Sequence, residues 1–271
     1  MARWFFTSVA GRKPARDLAA WQAARPRLLL LDFDGTLSPI VASPGRARLA
    51  PGMRQVLSSL GRSQGTAVAL LSGRSLPDLK QRVGVPGLYY LGNHGASGYG
   101  APAVSPARRE RSRRLAAALR PLLRRWPGAL LESKGLDLSL HYRQVAPKRV
   151  AGLLTAARAA AAGHPFDLRD GKKVLEFRLP GARGKGDAAN RLARSLARGW
   201  RRTGLCLCLG DDATDEDAFA AIKRLGPRAH SFKVGTGPTV ADYRLRDVGE
   251  VGRLLRALAG PVQSTTGRRT R

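Results

Sequence analysis

RLLLLDFDGTL, residues 27–37, is an apolar run of strand length that ends in two aspartates, a glycine and a threonine. This pattern is typical of a strand that is buried on both faces of a parallel sheet and carries polar groups at its carboxyl end. Strands that alternate with helices predict an α/β fold built on a parallel sheet. The other strands expected are TAVALLSG (66–73), LYYLGNHG (88–95), LCLCLGDD (205–212) and SFKVG (231–235), and the helices are expected at 15–25, 51–60, 76–84, 186–198, 215–224 and 249–259.

The middle of the chain has a different pattern. ARRERSRRLAAALRPLLRRW (107–126) predicts a basic amphipathic helix that Pro121 should kink or split. The second of two strand pairs should turn at Asp170–Gly171, because Asp-Gly is a strong hairpin signal. We predict an antiparallel sheet with helices on one face, formed by a module at 106–184 that is inserted into a domain made of 1–105 and 185–271. Its elements are ALLESK (129–134), DLSLHYR (137–143), a helix at 148–162, FDLRD (166–170) and KVLEFRL (173–179).

Composition excludes several classes of protein. The chain has 271 residues, 43% of them apolar, which is enough to bury a core and excludes global disorder. It has no apolar run long enough for a membrane span. Cys206 and Cys208 lie in one strand and cannot build a disulfide framework, so a reducing compartment is expected. The N-terminal apolar patch is too short for a signal peptide, and we expect a cytoplasmic protein.

The net charge of +29 comes mostly from arginines, which are spread along the whole chain. A surface of this kind attracts polyanions without specificity. A dedicated nucleic-acid site would need clustered charge and stacking aromatics, and aromatic residues make up only 6% of the chain. We therefore predict an arginine-biased, solvated surface with no specific nucleic-acid partner.

Two groups of carboxylates follow predicted strands. Asp32 and Asp34 end the first strand, and LGDDATDED (209–217) brings five more acids to the end of another. Ligands bind at this edge of open α/β sheets, and a hard divalent cation such as Mg²⁺ relieves the repulsion between crowded carboxylates. Helix capping is the alternative: it is compatible with Asp215 or Glu216 but does not explain Asp211 and Asp212.

Two further short motifs suit a phosphate group. Ser72, in Leu71-Ser72-Gly73-Arg74, offers a hydroxyl and backbone N–H groups at the end of the second strand. Lys185, between two glycines, offers a compact positive charge just before a helix. Each motif is common in ordinary loops, so the combination carries the argument.

The four motifs together resemble the haloacid-dehalogenase phosphatase superfamily. The resemblance covers residues 27–250 and implies a doubly wound parallel sheet with a smaller α+β cap domain inserted before the lysine motif. It implies that Asp32 is the nucleophile, that Asp34 is the general acid and base, and that Ser72 and Lys185 contact the phosphoryl group. It also implies Mg²⁺ held by the carboxylates of Asp32 and Asp211 and by the backbone carbonyl of Asp34. Asp212 and Asp215 would lie further from the ion or bind it through water.

One face of the inserted sheet carries charged side chains. Alternation pairs Glu132 with Lys134, His141 with Arg143, and Glu176 with Arg178, each pair on one strand. The opposite face should be apolar and lie under the helices, with Leu138, Leu140, Leu175, Phe177 and Leu179. Mixed charges on one face can bind a polyol, because carboxylates accept hydrogen bonds from hydroxyls and cations donate them. The alternative is a cross-strand salt-bridge ladder that faces water.

With these motifs, the sequence resembles the trehalose-6-phosphate phosphatase family, through LDFDGTL, LLSGR, GNHG, ESKGLDLSLHYR, EFRLPGARGKGDA and LGDDATDEDAF. The resemblance implies a sugar phosphate substrate, held by Glu132, Lys134, Arg143 and Glu176 in the cap. The same role is expected for Gly73, Arg74, Asn93, His94, His141 and Arg178.

A chain of 271 residues leaves no room for a synthase domain as well, so we expect any trehalose-6-phosphate synthase partner to be a separate protein, and we expect a monomer or weak oligomer. Two alternatives stay open. One is a phosphatase for another sugar phosphate, such as sucrose 6-phosphate. The other is a basic nucleic-acid-binding protein that keeps a phosphatase-like fold without activity.

Overall fold

The structure, a computed structural model, describes residues 7–9, 20–101, 103, 105–134, 136–171, 173–180, 184–196 and 204–260. Its larger sheet has eight strands in the order β1-β12-β11-β10-β2-β3-β4-β5. The six inner strands run parallel, while β1 and β5 pair antiparallel at the two edges. The strands are β1 Thr7–Ser8, β2 Arg27–Leu31, β3 Thr66–Leu71, β4 Tyr89–Gly92, β5 Ser97–Gly98, β10 Leu205–Gly210, β11 Ala229–Val234 and β12 Tyr243–Leu245.

Helices cover both faces of this sheet. The leucines of β2 alternate between two apolar clusters: Leu29 and Leu31 belong to one, Leu28 and Leu30 to the other. Because both faces are buried, the strand reads as an unbroken apolar run. The first cluster includes residues of α1 (Met53–Arg62), α2 (Leu76–Val83) and α7 (Val248–Ala259), and the second includes residues of α5 (Lys185–Leu196) and α6 (Ala213–Lys223).

The smaller sheet is antiparallel, in the order β6-β7-β9-β8. Its core side is apolar, as predicted: Leu138, Leu140, Leu175 and Phe177 are fully buried, and α3 and α4 contribute Leu115, Leu119 and Leu153 to the same cluster. The bounds are β6 Leu130–Lys134, β7 Asp137–His141, β8 Asp167–Gly171, β9 Val174–Arg178, α3 Pro106–Arg125 and α4 Pro147–Ala161.

The structure corrects two local predictions. Pro121 was expected to kink or split α3, and the split is wrong, because the helix continues to Arg125. The proline lies on the exposed side of the helix, where water can satisfy the carbonyl that loses its partner. The expected turn at Asp170–Gly171 is instead part of the strand pair: Asp170 pairs with Leu175 and Gly171 with Val174. This register aligns Leu168 with Phe177, and Lys173, with a φ of 65°, comes just before the second strand of the pair.

The short strands β1, β5 and β12 were not predicted, because they contain only two or three residues each. Of the helix expected at 15–25, residues 20–23 are helical and the preceding part lies outside the described residues. Cys206 and Cys208 are free and buried on one face of β10, as their spacing predicted. In the described ranges, no helix combines the length and apolar character that a membrane crossing requires.

Candidate active site

The strand order creates a switch point at the centre of the larger sheet. From β2 the chain moves outward through β3 and β4, then returns to β10 on the other side of β2 and continues through β11. At such a point the loops that leave the two central strands diverge and open a crevice. Asp32 follows β2 and Asp211 follows β10, and the backbone N–H of Asp32 donates to the carbonyl of Leu209 at 3.0 Å. The topology therefore brings together the two acidic motifs.

Lys185 connects these motifs. It begins α5, its side chain is 1% exposed, and its Nζ donates to Asp32 Oδ1 at 2.6 Å and to Asp215 Oδ1 at 2.8 Å. Its Nζ also lies 4.0 Å from Asp212 Oδ1. Burial alone would lower the pKa of Lys185, but the attraction of Asp215 and Asp32 outweighs it and holds the pKa well above its usual value. Lys185 is therefore a fixed cation within the acidic cluster.

The acidic loop after β10 is shaped by helix capping. Asp212 is the N-cap of α6: its Oδ1 accepts from the backbone N–H groups of Thr214 and Asp215 at 2.8 and 3.0 Å. Asp215 completes a capping box, because its Oδ2 accepts from the N–H groups of Asp211 and Asp212. The prediction that capping does not explain Asp212 was therefore wrong, whereas the capping role of Asp215 is confirmed.

Oxygen atoms of Asp32, Asp211 and Asp215 lie within 4.8 Å of one another. Burial, together with the charges of neighbouring aspartates, raises the pKa of Asp32 to about 8 and of Asp211 to about 7, even though Lys185 opposes both shifts. Full ionisation of the cluster would therefore place more negative charge there than Lys185 alone offsets. An all-oxygen donor set of this kind fits a hard divalent cation.

Gly35 makes the close approach of the two motifs possible. It has a φ of +80°, and a Cβ at this position would lie 2.1 Å from Oδ2 of Asp211. Any side chain there would therefore displace the carboxylate. Gly35 of the DFDGT motif thus allows the turn and also allows the ends of the two strands to lie close together.

The motif after β3 lies beside this cluster. Ser72 is 1% exposed, and its Oγ accepts from the backbone N–H of Arg74 at 3.2 Å. The ring of His94 packs over Gly73, where a Cβ would come within 2.7 Å of it. Asn93 lies apart from the cavity lining, and its side-chain amide donates to Ser97 Oγ at 3.0 Å. The structure therefore brings His94 to the site and leaves Asn93 in the supporting loop.

Arg74 binds Asp34 rather than standing free in the cavity. Its Nε and Nη2 donate to the two carboxylate oxygens of Asp34, both at 2.6 Å. The guanidinium is buried, whereas the side chain of Asp34 is 36% exposed. Asp34 and Arg74 both line the cavity, and the paired contact with Arg74 fixes the carboxylate of Asp34 there.

Residues of the smaller sheet face the same cavity. Glu132, His141 and Glu176 line it, and His141 Nε2 lies 2.8 Å from Glu132 Oε2. Arg143 also lines the cavity, but it lies in a turn after β7, not on the strand as the sequence had predicted. Arg178 is set back from the lining and donates to Glu176 at 2.9 Å. The side chain of Lys134 lies outside the described part of the chain, although its backbone ends β6.

A single cavity of about 240 Å³ joins these groups. The larger sheet contributes Asp32, Asp34, Ser72, Lys185 and Asp212, and the smaller sheet contributes the charged face just described. Exposed apolar side chains border the cavity from both sides: Ile40 is 57% exposed and Leu130 is 48% exposed. A ligand in this cavity would contact both sheets.

Sequence reasoning missed several neighbours of the site. Lys233, in β11, is buried and donates to the backbone carbonyl of Asp211 at 2.6 Å, and it lies 3.4 Å from Glu216. A lysine within the apolar run SFKV was a signal that could have identified it. Ser139 lies in register between Glu132 and Glu176, as the alternation of DLSLH implies. Gln144 and Lys173 also line the cavity, but neither lies in a motif that indicates this.

Comparisons with known proteins agree with this geometry. The model of the trehalose-phosphatase family matches residues 30–249. A trehalose-phosphate phosphatase of Mycobacterium tuberculosis is 36% identical over 218 residues, covering 77% of this chain and 54% of the relative. Trehalose-phosphate phosphatase B of Arabidopsis thaliana is 32% identical over 257 residues, covering 89% of this chain and 68% of the relative. The chain thus spans about half the length of the mycobacterial protein.

Solved structures give the same result for the fold. The C-terminal domain of the Candida albicans trehalose-6-phosphate phosphatase has a TM-score of 0.76 at 24% identity, covering 91% of this chain and 96% of that one. A trehalose-6-phosphate phosphatase of Aspergillus fumigatus has a TM-score of 0.62 at 28% identity, covering 92% of this chain and 97% of that one. The predicted fold, a doubly wound sheet of the haloacid-dehalogenase type, is confirmed. Because the family model matches most of its length, the chain belongs to the trehalose-phosphatase family.

Proposed function

We propose that the chain hydrolyses trehalose 6-phosphate to trehalose and phosphate. The observation that carries the proposal is the one cavity that joins the Asp32–Lys185 cluster to the charged face of the smaller sheet. In this proposal residues 1–105 and 185–271 form the catalytic core, and residues 106–184 form a cap that binds the sugar. The names of the relatives support the choice of substrate.

The first step is the attack of an Asp32 carboxylate oxygen on phosphorus. The bond between phosphorus and the sugar oxygen breaks, and an aspartyl phosphate forms. Lys185, whose Nζ lies 2.6 Å from Asp32 Oδ1, offsets the negative charge that the two anions bring together. Ser72, which lines the same cavity, donates its hydroxyl hydrogen to a phosphoryl oxygen.

Asp34 moves the protons in both steps. It protonates the leaving sugar oxygen, and the resulting carboxylate then removes a proton from the water that attacks the aspartyl phosphate. The second attack breaks the bond between phosphorus and Asp32, releases phosphate and restores the Asp32 carboxylate. The exposed side of Asp34 faces the cavity, where both protons are exchanged.

Mg²⁺ is the cation we assign to the cluster of Asp32, Asp211 and Asp215, with the backbone carbonyl of Asp34 as a further ligand and Asp212 beside it. When bound, it supplies positive charge that neutralises the phosphoryl oxygens. Asp32 attacks as a carboxylate, so positive charge beside it also favours the reactive form.

The cap residues hold the sugar. Glu132, Glu176 and Arg143 line the cavity. The alternation of the sequence assigns Lys134 to the same role as Glu132. Carboxylates accept hydrogen bonds from sugar hydroxyls, and the cations donate to sugar oxygens. We further propose that a separate synthase supplies the substrate and that the reaction takes place in the cytoplasm.

Phosphate release from a panel of substrates tests the proposal. We expect Mg²⁺-dependent release from trehalose 6-phosphate at a kcat/KM at least about 10²-fold above that for glucose 6-phosphate or sucrose 6-phosphate, because binding that spans both sheets favours the matching sugar. A preference for sucrose 6-phosphate would overturn the choice of substrate. Tight, salt-sensitive nucleic-acid binding without any phosphate release would favour the inactive polyanion binder.

Cation binding should stabilise the fold more at pH 8 than at pH 6. The pKa values of about 8 for Asp32 and about 7 for Asp211 exceed the ordinary value of 3.8. The folded protein without a cation therefore holds extra protons between about pH 4 and pH 8, and its stability falls as pH rises through that window. Protons and cation compete for the same oxygens, so binding weakens as pH falls.

We expect millimolar Mg²⁺ to raise the Tm of EDTA-treated protein by about 3 to 8 °C at pH 8 and by less at pH 6. Differential scanning fluorimetry measures this, with KCl at matched ionic strength as the control. In Asp211→Asn, which removes one of the three carboxylates, most of the Mg²⁺-dependent shift should disappear. A shift of the same size in that variant would place the cation elsewhere.

A further inference from the structure

Arg74 is almost fully engaged by the protein itself. Beyond its paired contacts with Asp34, its Nη1 donates to Asp78 Oδ2 at 2.8 Å and its Nη2 to the backbone carbonyl of Pro44 at 3.0 Å. Its guanidinium carbon also lies 5.3 Å from the centre of the Phe33 ring. All three guanidinium nitrogens therefore have protein partners, which leaves little capacity for a substrate phosphate.

The contacts continue from Asp78 to a second arginine. Arg82 donates from Nε to Asp78 Oδ2 at 2.8 Å, and its Nη2 lies 2.8 Å from Asp78 Oδ1. Its Nη1 donates to the backbone carbonyls of Gly45 and Ala47 at 3.1 and 2.8 Å. Asp34, Arg74, Asp78 and Arg82 thus form one chain of alternating charges, which we call the arginine clamp.

The arginine clamp ends on a wall of the cavity. Ser43 and Pro44 line the cavity, and the carbonyls that the clamp holds belong to the 3₁₀ turn Pro44–Arg46 and to Ala47 next to it. One network therefore fixes both the side chain of Asp34 and the segment that faces the substrate. Each oxygen of Asp34 accepts one hydrogen bond from Arg74 and keeps a second lone-pair position.

We propose that Arg74 is a positioning residue, which holds Asp34 and the Pro44–Ala47 wall in the arrangement that the reaction needs, and that it does not bind the substrate phosphate. This inference rests on the proposed function, in which Asp34 exchanges protons with the leaving oxygen and with water. The sequence resemblance had placed Arg74 on the substrate. The bidentate, buried contact with Asp34 favours the positioning role, because a planar fork fixes a carboxylate in two directions at once.

The two roles predict different kinetics. If Arg74 positions Asp34, Arg74→Met should lower kcat by about 10²-fold, a typical cost of misplacing a catalytic group. The inhibition constant Ki of inorganic phosphate should then stay within about threefold of the original value, because phosphate binding does not need Arg74. Arg74→Lys should restore only part of the kcat, since lysine cannot form the paired contact. Asp78→Asn weakens the arginine clamp at a point that does not contact Asp34. It should therefore lower kcat by a smaller factor of about 3 to 10.

Steady-state kinetics with trehalose 6-phosphate, and phosphate as the inhibitor, measure these constants. Arg62→Met serves as the matched control, because Arg62 is an exposed arginine that contacts Ser58 on its own helix. A Ki that rises tenfold or more while kcat stays unchanged would overturn the inference, as would a kcat near the original in both Arg74 variants. Should Arg74→Met fail to fold, Arg74→Lys and Asp78→Asn decide in the same way.

The substrates that the unsubstituted protein hydrolyses show separately whether the proposed function and the positioning role of Arg74 hold. If it releases phosphate from p-nitrophenyl phosphate but not from trehalose 6-phosphate, the proposed function fails. The arginine clamp is then tested with p-nitrophenyl phosphate, by the same comparison of kcat with Ki.

Discussion

Replacing Asp32 with asparagine should lower the turnover of trehalose 6-phosphate by roughly 10³-fold or more, while the fold stays intact. The amide keeps the shape of the side chain and one oxygen that can accept from Lys185 Nζ, now 2.6 Å from Asp32 Oδ1. It cannot form the aspartyl phosphate. Phosphate release under saturating substrate and Mg²⁺ measures the loss.

The stability of Asp32→Asn separates chemistry from folding. Burial raises the pKa of Asp32 to about 8, so the charged form is disfavoured where it stands. Asparagine removes that cost, and Lys185 keeps its 2.8 Å contact with Asp215. We therefore expect the Tm in EDTA at pH 8 to be no lower than that of the unsubstituted protein.

A matched variant shows whether the loss of turnover is specific to position 32. Asp217→Asn makes the same chemical change at an exposed site within the acidic stretch of α6, and it should keep turnover within about twofold of the original. Normal turnover in Asp32→Asn would remove this residue from the mechanism. An equal loss in Asp217→Asn would mean that charge in the region matters more than the nucleophile.

The parallel sheet was predictable because its strands are buried on both faces. Leu28 to Leu31 are all buried in the structure, so this strand does not alternate between apolar and polar residues as a strand with one solvent-facing side would. The apolar pattern does not predict the order of the strands, because β2 pairs with β10, which is far from it in sequence, as well as with β3. The neighbouring positions of Asp32 and Asp211 followed only once a family resemblance supplied that order.

Side-chain partners were the least predictable part of the site. Alternation places Glu132 and Glu176 on one face of the smaller sheet but does not show which cation each will bind. In the structure Glu132 contacts His141 across the strand pair, whereas Glu176 contacts Arg178 on its own strand. The cross-strand alternative thus matches one contact, Glu132 with His141, but not Glu176, and both carboxylates line the cavity.

The capping role of Asp212 was missed for a related reason. Residues 211–217, which follow β10, include four aspartates, and any of the early ones can serve as an N-cap. The choice depends on where α6 begins, and the structure places that start at Ala213, two residues before the predicted start. Element ends are set by tertiary packing as much as by local sequence.

Glu176→Ala should impair the hydrolysis of trehalose 6-phosphate selectively. Glu176 lines the cavity on the smaller sheet, in register with Ser139 and beyond it Glu132, so its loss removes an acceptor for sugar hydroxyls and leaves the Asp32 cluster untouched. One or two hydrogen bonds to a charged group correspond to a loss of about 10- to 100-fold in kcat/KM. With p-nitrophenyl phosphate, which has no sugar, the change should stay within about threefold.

The control for this variant lies on the neighbouring strand. Asp170→Ala removes an exposed carboxylate of β8 that pairs with Arg158, away from the cavity lining, and it should affect neither substrate selectively. Equal losses on both substrates in Glu176→Ala would contradict sugar binding by the smaller sheet. They would mean that Glu176 supports the cavity as a whole, through its 2.9 Å contact with Arg178, and the selectivity would then have to arise from the wall of the larger sheet.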